Sequence, residues 1–125
     1  MADWLRIAEK DWERAAWLLD QHDSGLAGFC LQQAVEKFLK AFLISQGWEL
    51  RRTHDLEALL DDVSAYETSL VSFRDVCQRI TAFYFAERYP LIMETGITEE
   101  NVRASLEQVR ALVEWLRINA VSKEP

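Results

Sequence analysis

The chain has 125 residues and a formal net charge of −7 at pH 7. A chain of this length forms one domain, here residues 1–125 with a frayed tail from about residue 120, because it buries roughly two thirds of its unfolded surface. Half of the residues are hydrophobic, and four Gly and two Pro are too few for a disordered or turn-rich chain. The acidic balance argues against general nucleic-acid binding, since that affinity depends on Lys and Arg neutralising phosphates.

The amino-terminal and apolar segments do not fit a signal peptide or a membrane span. Residues 1–6 lack a basic region followed by an apolar run. The longest strongly apolar stretch, residues 38–44, is interrupted by Lys40 and is far shorter than the roughly 20 residues that a span requires. Cys30 and Cys77 lie inside apolar helical patterns and are predicted to be buried free thiols. We therefore expect a cytoplasmic protein with no membrane contact.

The first part of the chain contains two predicted helices separated by a polar turn at residues 22–25, which includes a glycine. The first helix is predicted to run from an N-cap at Asp3 to about Gln21. The second covers residues 26–46 and ends at Gly47, a residue type common just past a helix. Its apolar stripe is spaced by three and four residues and comprises Leu31, Val35, Phe38, Leu39, Phe42 and Leu43. This spacing predicts a core helix.

Three further helices complete the predicted fold. A short third helix opens at Asp55 after a loop over residues 48–54, with Thr53 or His54 near its cap, and its first-turn carboxylates suit the positive end of the helix dipole. A fourth helix covers roughly residues 69–87 and is stopped by Pro90. Thr98 is predicted to cap a fifth helix, whose heptad-like seam comprises Val102, Leu106, Val109, Val113 and Leu116. The sequence therefore predicts an all-α fold, an up-and-down four-helix bundle with one additional short helix.

Two groups of polar residues are not required by a plain bundle. Glu36, Lys37 and Lys40 form either a solvated helix face with an ordinary i,i+4 ion pair or part of a binding site. His54 and Asp55 form either a helix cap beside an exposed histidine or part of a site. General base catalysis by His54 needs a positioned partner, which the sequence does not identify. With two histidines and no spaced set of Cys or carboxylates, we predict no metal site.

A third group stands at the end of the fourth predicted helix, where Glu87-Arg88-Tyr89-Pro90 follows Tyr84 by one turn. An arginine at a helix end can satisfy the terminal carbonyls. Its guanidinium is also well shaped to hold a phosphate or carboxylate through two hydrogen bonds, and a nearby tyrosine can stack on a base. The residues alone leave both interpretations open.

Three segments together resemble the HEPN family, the higher-eukaryote and prokaryote nucleotide-binding domain. They are QQAVEKFLKA at residues 32–41, THDL at residues 53–56 and RYP at residues 88–90. Their order and separation also match, as does the first helix over residues 12–19, so the resemblance covers nearly the whole chain. It implies an up-and-down helical bundle that commonly forms homodimers and is often encoded beside a minimal nucleotidyltransferase. In such pairs one protein can be a toxin and the other its antidote.

Many HEPN members are ribonucleases that carry an Arg followed four to six residues later by a His, and this sequence departs from that pattern. Seven residues separate Arg14 from His22, while two and one residues separate Arg51 and Arg52 from His54. The usual residues for metal-independent RNA cleavage are therefore missing. The resemblance is to the branch marked by Arg-Tyr-Pro, for which binding is expected rather than catalysis.

From this resemblance we predict a non-catalytic homodimer that binds a purine nucleotide such as ATP, a minimal nucleotidyltransferase, or both, and that can form one half of a toxin–antitoxin pair. No other cofactor and no catalytic residue is predicted. The predicted binding residues are Glu36, Lys37, Lys40, His54, Asp55, Tyr84, Arg88 and Tyr89. Arg88 is expected to hold a phosphate or a partner carboxylate, the tyrosines to give aromatic contact and the lysines to add positive charge.

Two alternatives stay open at this point. One is a ribonuclease toxin with an atypical site, in which Arg88 acts with His54 across the bundle. The other is a purely structural interaction module, in which the Arg-Tyr-Pro segment only shapes a loop. The two are distinguished by RNA breakdown on expression in the first case and by loss of folding stability on substitution of Arg88 in the second.

Overall fold

The computed structural model describes residues 2–88 and 97–120, with the backbone alone at residues 2, 87 and 88. These residues form five α-helices and one 3₁₀-helix: α1 (Ala2–Asp20), α2 (Ser24–Ser45), α3 (Leu56–Ser64), the 3₁₀-helix (Thr68–Phe73), α4 (Arg74–Arg88) and α5 (Glu99–Asn119). No strand occurs in the described ranges, so the predicted all-α fold is confirmed. No helix in that part of the chain is long and apolar enough to cross a membrane.

Side-chain caps fix where three of the helices begin. The carboxylate of Asp23 accepts a hydrogen bond from a backbone amide at the start of α2. Asp55 accepts two from amides in the first turn of α3, and Thr98 caps α5 as predicted. Amides in the first turn of a helix have no partner inside the helix, so each cap satisfies a donor that folding would otherwise leave without one.

Four helix starts differ from the predictions. α2 begins at Ser24, inside the predicted turn, and not at Leu26, and the N-cap of α3 is Asp55 and not Thr53 or His54. α1 already includes Ala2, so Asp3 lies in its first turn and not at its N-cap. The fourth predicted helix begins as the 3₁₀-helix over Thr68–Phe73 and becomes α-helical only at Arg74. Periodicity does not separate these two helix types over so short a stretch, because in both of them residues three apart lie on nearly the same face.

α2 lies at the centre of the bundle and contacts each of the four other α-helices. Its predicted apolar stripe is buried, and so is the seam predicted on α5. Gly28 allows α2 to pack closely against α4, since a Cβ atom at this position would lie 3.1 Å from Cβ of Phe83. The core therefore forms around α2, which has little surface left for solvent.

The central position of α2 overturns the interpretation of its polar residues as a solvated face. Gln32, Glu36 and Lys40 are buried, with exposed fractions of 0%, 4% and 7%. Gln33 and Lys37 keep partial exposure. Helices packed around most of the circumference of α2 leave its polar residues inside the protein, where each polar group needs a partner.

The two cysteines differ in burial. Both are free thiols, and Cys77 is buried whereas Cys30 is half-buried. The prediction of a buried free thiol is therefore confirmed for Cys77 and wrong for Cys30. Burial raises the pKa of Cys77 to about 12 and also raises the pKa of Cys30, so neither thiol is activated as a nucleophile.

Candidate functional site

A buried carboxylate, Glu36, is the centre of a polar cluster between α2 and the loop before α3. Its Oε1 accepts hydrogen bonds from Nδ1 of His54 at 2.8 Å and from Nε2 of Gln32 at 2.9 Å. Its Oε2 accepts a hydrogen bond from Nζ of Lys40 at 2.8 Å. We call Gln32, Glu36, Lys40 and His54 the Glu36 cluster. Three separate side chains thus donate to one buried carboxylate.

The fold brings the members of the Glu36 cluster together in two ways. The three members on α2 are spaced by four residues and therefore lie on one face of the helix. His54 lies on the loop before α3, and Nε2 of Gln32 donates a hydrogen bond to the carbonyl oxygen of His54 at 2.8 Å. Two residues further on, the amide of Leu56 donates to Oγ1 of Thr81 on α4 at 3.1 Å. The loop is thus tied to α2 and α4 on either side of the imidazole.

The protonation state of Glu36 follows from its surroundings. Burial by itself would raise the pKa of this carboxyl group, but the hydrogen bonds from Lys40, Gln32 and His54 outweigh burial and lower the pKa below its usual range. Glu36 is therefore ionised at neutral pH. Its charge is offset by the ammonium group of Lys40, which is almost equally buried.

The imidazole of His54 is held on its ring face as well as at Nδ1. The ring stacks on Tyr84 of α4, with centroids 4.5 Å apart and planes inclined by 22°. Tyr84 stacks in turn on Phe29 of α2 at 5.6 Å and 19°. The side chain of His54 nevertheless stays 51% exposed. Within residues 2–88 and 97–120, the ring forms a hydrogen bond through Nδ1 but not through Nε2.

This arrangement can perform two kinds of chemistry. A protonated imidazole offers an N–H at Nε2 to an anion, and a neutral imidazole offers a lone pair there that can accept a proton. The carboxylate at Nδ1 orients the ring in either case. Among the described residues, no group of three or more His, Cys, Asp or Glu side chains is arranged to hold a metal ion.

The structure brings four of the predicted site residues together, namely Glu36, Lys40, His54 and Tyr84. Asp55 stays exposed, and its carboxylate caps α3. The side chain of Arg88 and the whole of Tyr89 and Pro90 lie outside the described residues.

Lys37 belongs to a separate cluster between α1 and α2. Its Nζ lies 2.5 Å from Oδ2 of Asp11 on α1, and Arg14 lies 3.5 Å from the other oxygen of the same carboxylate. Asp11 is buried. The positive charge of Lys37 is therefore matched within the α1–α2 interface, and Lys37 does not approach the Glu36 cluster.

Two residues that take part in the arrangement were not predicted. Gln32 bonds both Glu36 and the His54 backbone, and Phe29 extends the stack of rings. The spacing of Gln32, four residues before Glu36, could have indicated the first contact. Nothing in the sequence indicates that Phe29 meets Tyr84, because the two are 55 residues apart.

One family model matches this chain, and two solved structures share its fold. A family model described as "HEPN domain" matches residues 1–119. The crystal structure of TT1696 from Thermus thermophilus superposes with a TM-score of 0.83 at 22% identity, covering 94% of this chain and 96% of that chain. ST0689, an archaeal HEPN homologue, superposes with a TM-score of 0.74 at 25% identity, covering 95% of this chain and 96% of that one. No curated protein matches the sequence.

Proposed function

This chain belongs to the HEPN domain family, and on that basis we propose that it binds a purine nucleotide beside His54. The observation that carries the proposal is an imidazole that Glu36 bonds at Nδ1, that stacks on Tyr84 and that stays 51% exposed. A helical bundle does not need such a group in order to fold, because buried charges cost desolvation energy that apolar packing avoids. Titratable groups in constrained polar surroundings are concentrated at functional sites.

Three side chains are proposed to contact the nucleotide. His54 offers Nε2 to a phosphate oxygen, and the half-buried ring of Phe29 offers aromatic surface to the base. Arg88 is the last residue of α4, one turn beyond Tyr84, and we propose that its guanidinium holds a further phosphate oxygen. The buried members of the Glu36 cluster orient His54 and do not reach the ligand.

Calorimetric titration of the purified protein with ATP and with GTP tests this site. We expect binding that weakens about tenfold or more in His54→Asn and in Arg88→Ala, since a hydrogen bond between charged groups contributes roughly 1.5 kcal/mol or more. His22→Asn is the matched control, because His22 is the other histidine and pairs with Glu99 on the surface. Absence of heat with both nucleotides would contradict nucleotide binding.

A homodimer and a nucleotidyltransferase partner form the second part of the proposal. The family resemblance supports both, and large apolar side chains that remain exposed, such as Trp17 at 61% and Ile118 at 70%, support a further contact surface. Sedimentation at tens of micromolar tests the homodimer, and a strict monomer would remove it. Co-purification with a short nucleotidyltransferase encoded beside this gene, and relief of growth arrest by one member of the pair, test the toxin–antitoxin role.

Cleavage of RNA is the second candidate function, and the Glu36–His54 pair favours it. The carboxylate supplies the positioned partner that a general base requires, and Nε2 is placed to accept a proton from a hydroxyl group. Induced expression followed by RNA profiling distinguishes the two functions. Growth arrest with RNA breakdown that His54→Ala abolishes and His22→Ala preserves would replace the binding proposal with a ribonuclease.

A further inference from the structure

We infer that His54 takes up a proton when a phosphate group binds, so that binding at this site strengthens as the pH falls from about 8 to 6. The inference rests on the proposed function and adds to it the protonation state of His54 in the complex. It assigns the imidazolium, and not the neutral ring, as the form that holds the ligand.

The hydrogen bond to Glu36 fixes where the proton of a neutral His54 resides. Glu36 is ionised and can only accept hydrogen bonds, so Nδ1, at 2.8 Å from its Oε1, carries the N–H. The other nitrogen, Nε2, then holds a lone pair. A phosphate oxygen is also an acceptor, and two acceptors do not form a hydrogen bond. Only the imidazolium, with an N–H at both nitrogens, can donate to phosphate while it keeps its bond to Glu36.

The ring cannot escape this constraint by turning over. A flip of the ring about the Cβ–Cγ bond would put the carbon Cδ2 in the place of Nδ1, so it would break the bond to a buried carboxylate without replacing it. The carbonyl of His54 is itself fixed by Gln32, which limits compensating movement of the loop. Proton uptake is therefore the route that leaves the existing contacts intact.

The charges around His54 permit this uptake. Among the described residues, Glu36 and Tyr84 contact the ring of His54, Lys40 is bonded to Glu36, and Asp55 is the next residue in the chain. The charges of Glu36 and Lys40 offset each other, and the carboxylate of Asp55 is occupied by amides of α3. An imidazolium beside ionised Glu36 adds one positive charge that faces the ligand and has an anion directly behind it.

The expected size of the effect follows from linkage. Where free His54 is neutral and bound His54 is protonated, the binding constant changes by up to about tenfold per pH unit. A ligand group that donates a hydrogen bond, such as a hydroxyl or an amino group, can meet the lone pair at Nε2 without any proton uptake. Phosphate binding and base-only binding at His54 therefore differ in the number of protons exchanged.

The test is calorimetry at pH 8 in buffers of different ionisation enthalpy, which yields the number of protons bound per ligand. The full chain is titrated with ATP and with adenosine. We expect uptake approaching one proton with ATP and none with adenosine. His54→Asn should bind ATP more weakly and without this uptake, whereas His22→Asn should retain it, although His22 also pairs with a carboxylate at 2.7 Å.

The outcomes separate this inference from the proposed function. ATP binding with equal proton uptake in the parent protein and in His54→Asn overturns the inference and leaves nucleotide binding standing. ATP binding that is independent of pH between 6 and 8, after allowance for the protonation of ATP itself, does the same. Absence of ATP binding overturns both. A half-exposed position makes His54→Asn compatible with folding, and its unfolding curve verifies this.

Discussion

Among the described side chains, Lys40 is the only Lys or Arg that is bonded to the buried carboxylate of Glu36, and replacing it by Met removes that cation. Both side chains are less than a tenth exposed, so solvent cannot take over the role of the ammonium group. Loss of one partner from a buried ion pair costs about 3–5 kcal/mol of unfolding free energy. Because His54 and Gln32 still donate to Glu36, we expect Lys40→Met to cost about 3 kcal/mol, at the lower end of that range.

Removing both charges should cost much less than removing one. In the double variant Glu36→Leu/Lys40→Met, no charge is left buried in the cluster. Gln32 keeps its bond to the His54 carbonyl, and Nδ1 of the half-exposed imidazole can turn to water. Apolar replacement of a whole buried pair is often neutral or stabilising, so we expect the double variant to unfold within about 1 kcal/mol of the parent protein.

Urea unfolding at pH 7, followed by tryptophan fluorescence, measures these free energies as a double-mutant cycle. Arg103→Met is the matched control, because Glu99 and Arg103 have the same Glu-to-cation i,i+4 spacing on an exposed surface, where such pairs contribute little. The reasoning is refuted if the double variant loses the sum of the two single losses, or if Lys40→Met unfolds like the control. Additive losses would mean that the two charges do not interact, and a control-like loss in Lys40→Met would mean that the buried carboxylate does not depend on this cation.

Three further predictions address the pH dependence, the packing and the thiols. The hydrogen bonds that lower the pKa of Glu36 act on the carboxylate, so the parent protein should be more stable than Glu36→Gln in urea unfolding by an amount that is full above about pH 5 and shrinks towards pH 3. A stability difference that increases on acidification would contradict this prediction. Gly28→Ala should cost about 1–3 kcal/mol in thermal or urea unfolding, since its Cβ meets that of Phe83 at 3.1 Å, and Phe83→Leu should recover part of the loss. A thiol reagent followed by mass spectrometry should modify Cys30 well before Cys77, which is buried and has a pKa of about 12; equal rates would contradict the described burial.

The helices and the core could be predicted because they depend on local patterns. The seam of α5 follows directly from apolar residues at three- and four-residue spacing, and Thr98 is its N-cap as expected. The polar residues of α2 have the same kind of spacing, which is why they resemble a solvated face. Periodicity shows that such residues share a side of the helix, but only tertiary packing decides whether solvent or protein lies on that side.

The candidate site depends on contacts that the sequence does not reveal. Glu36 and His54 are 18 residues apart and meet because the loop after α2 folds back along that helix. Tyr84 reaches the imidazole from α4, a further 30 residues along the chain. The general base argument could not be made from sequence for this reason, since the partner of His54 lies in a different element and not at the neighbouring Asp55.

Because the loop that carries His54 is fastened to α2 and α4, movements of different helices should affect the position of the imidazole differently. Within the described ranges, α1 touches α2 and α5 but neither α3 nor α4, whereas the loop that carries the imidazole is fastened to α2 and α4. Transient detachment of α1 therefore leaves that fastening in place, and separation of α2 from α4 breaks it. In native-state hydrogen exchange, protection of the α4 amides should thus follow ligand occupancy more closely than protection of α1 does. The contacts of the fold thus allow α1 to detach transiently while the loop that carries His54 stays fastened to α2 and α4.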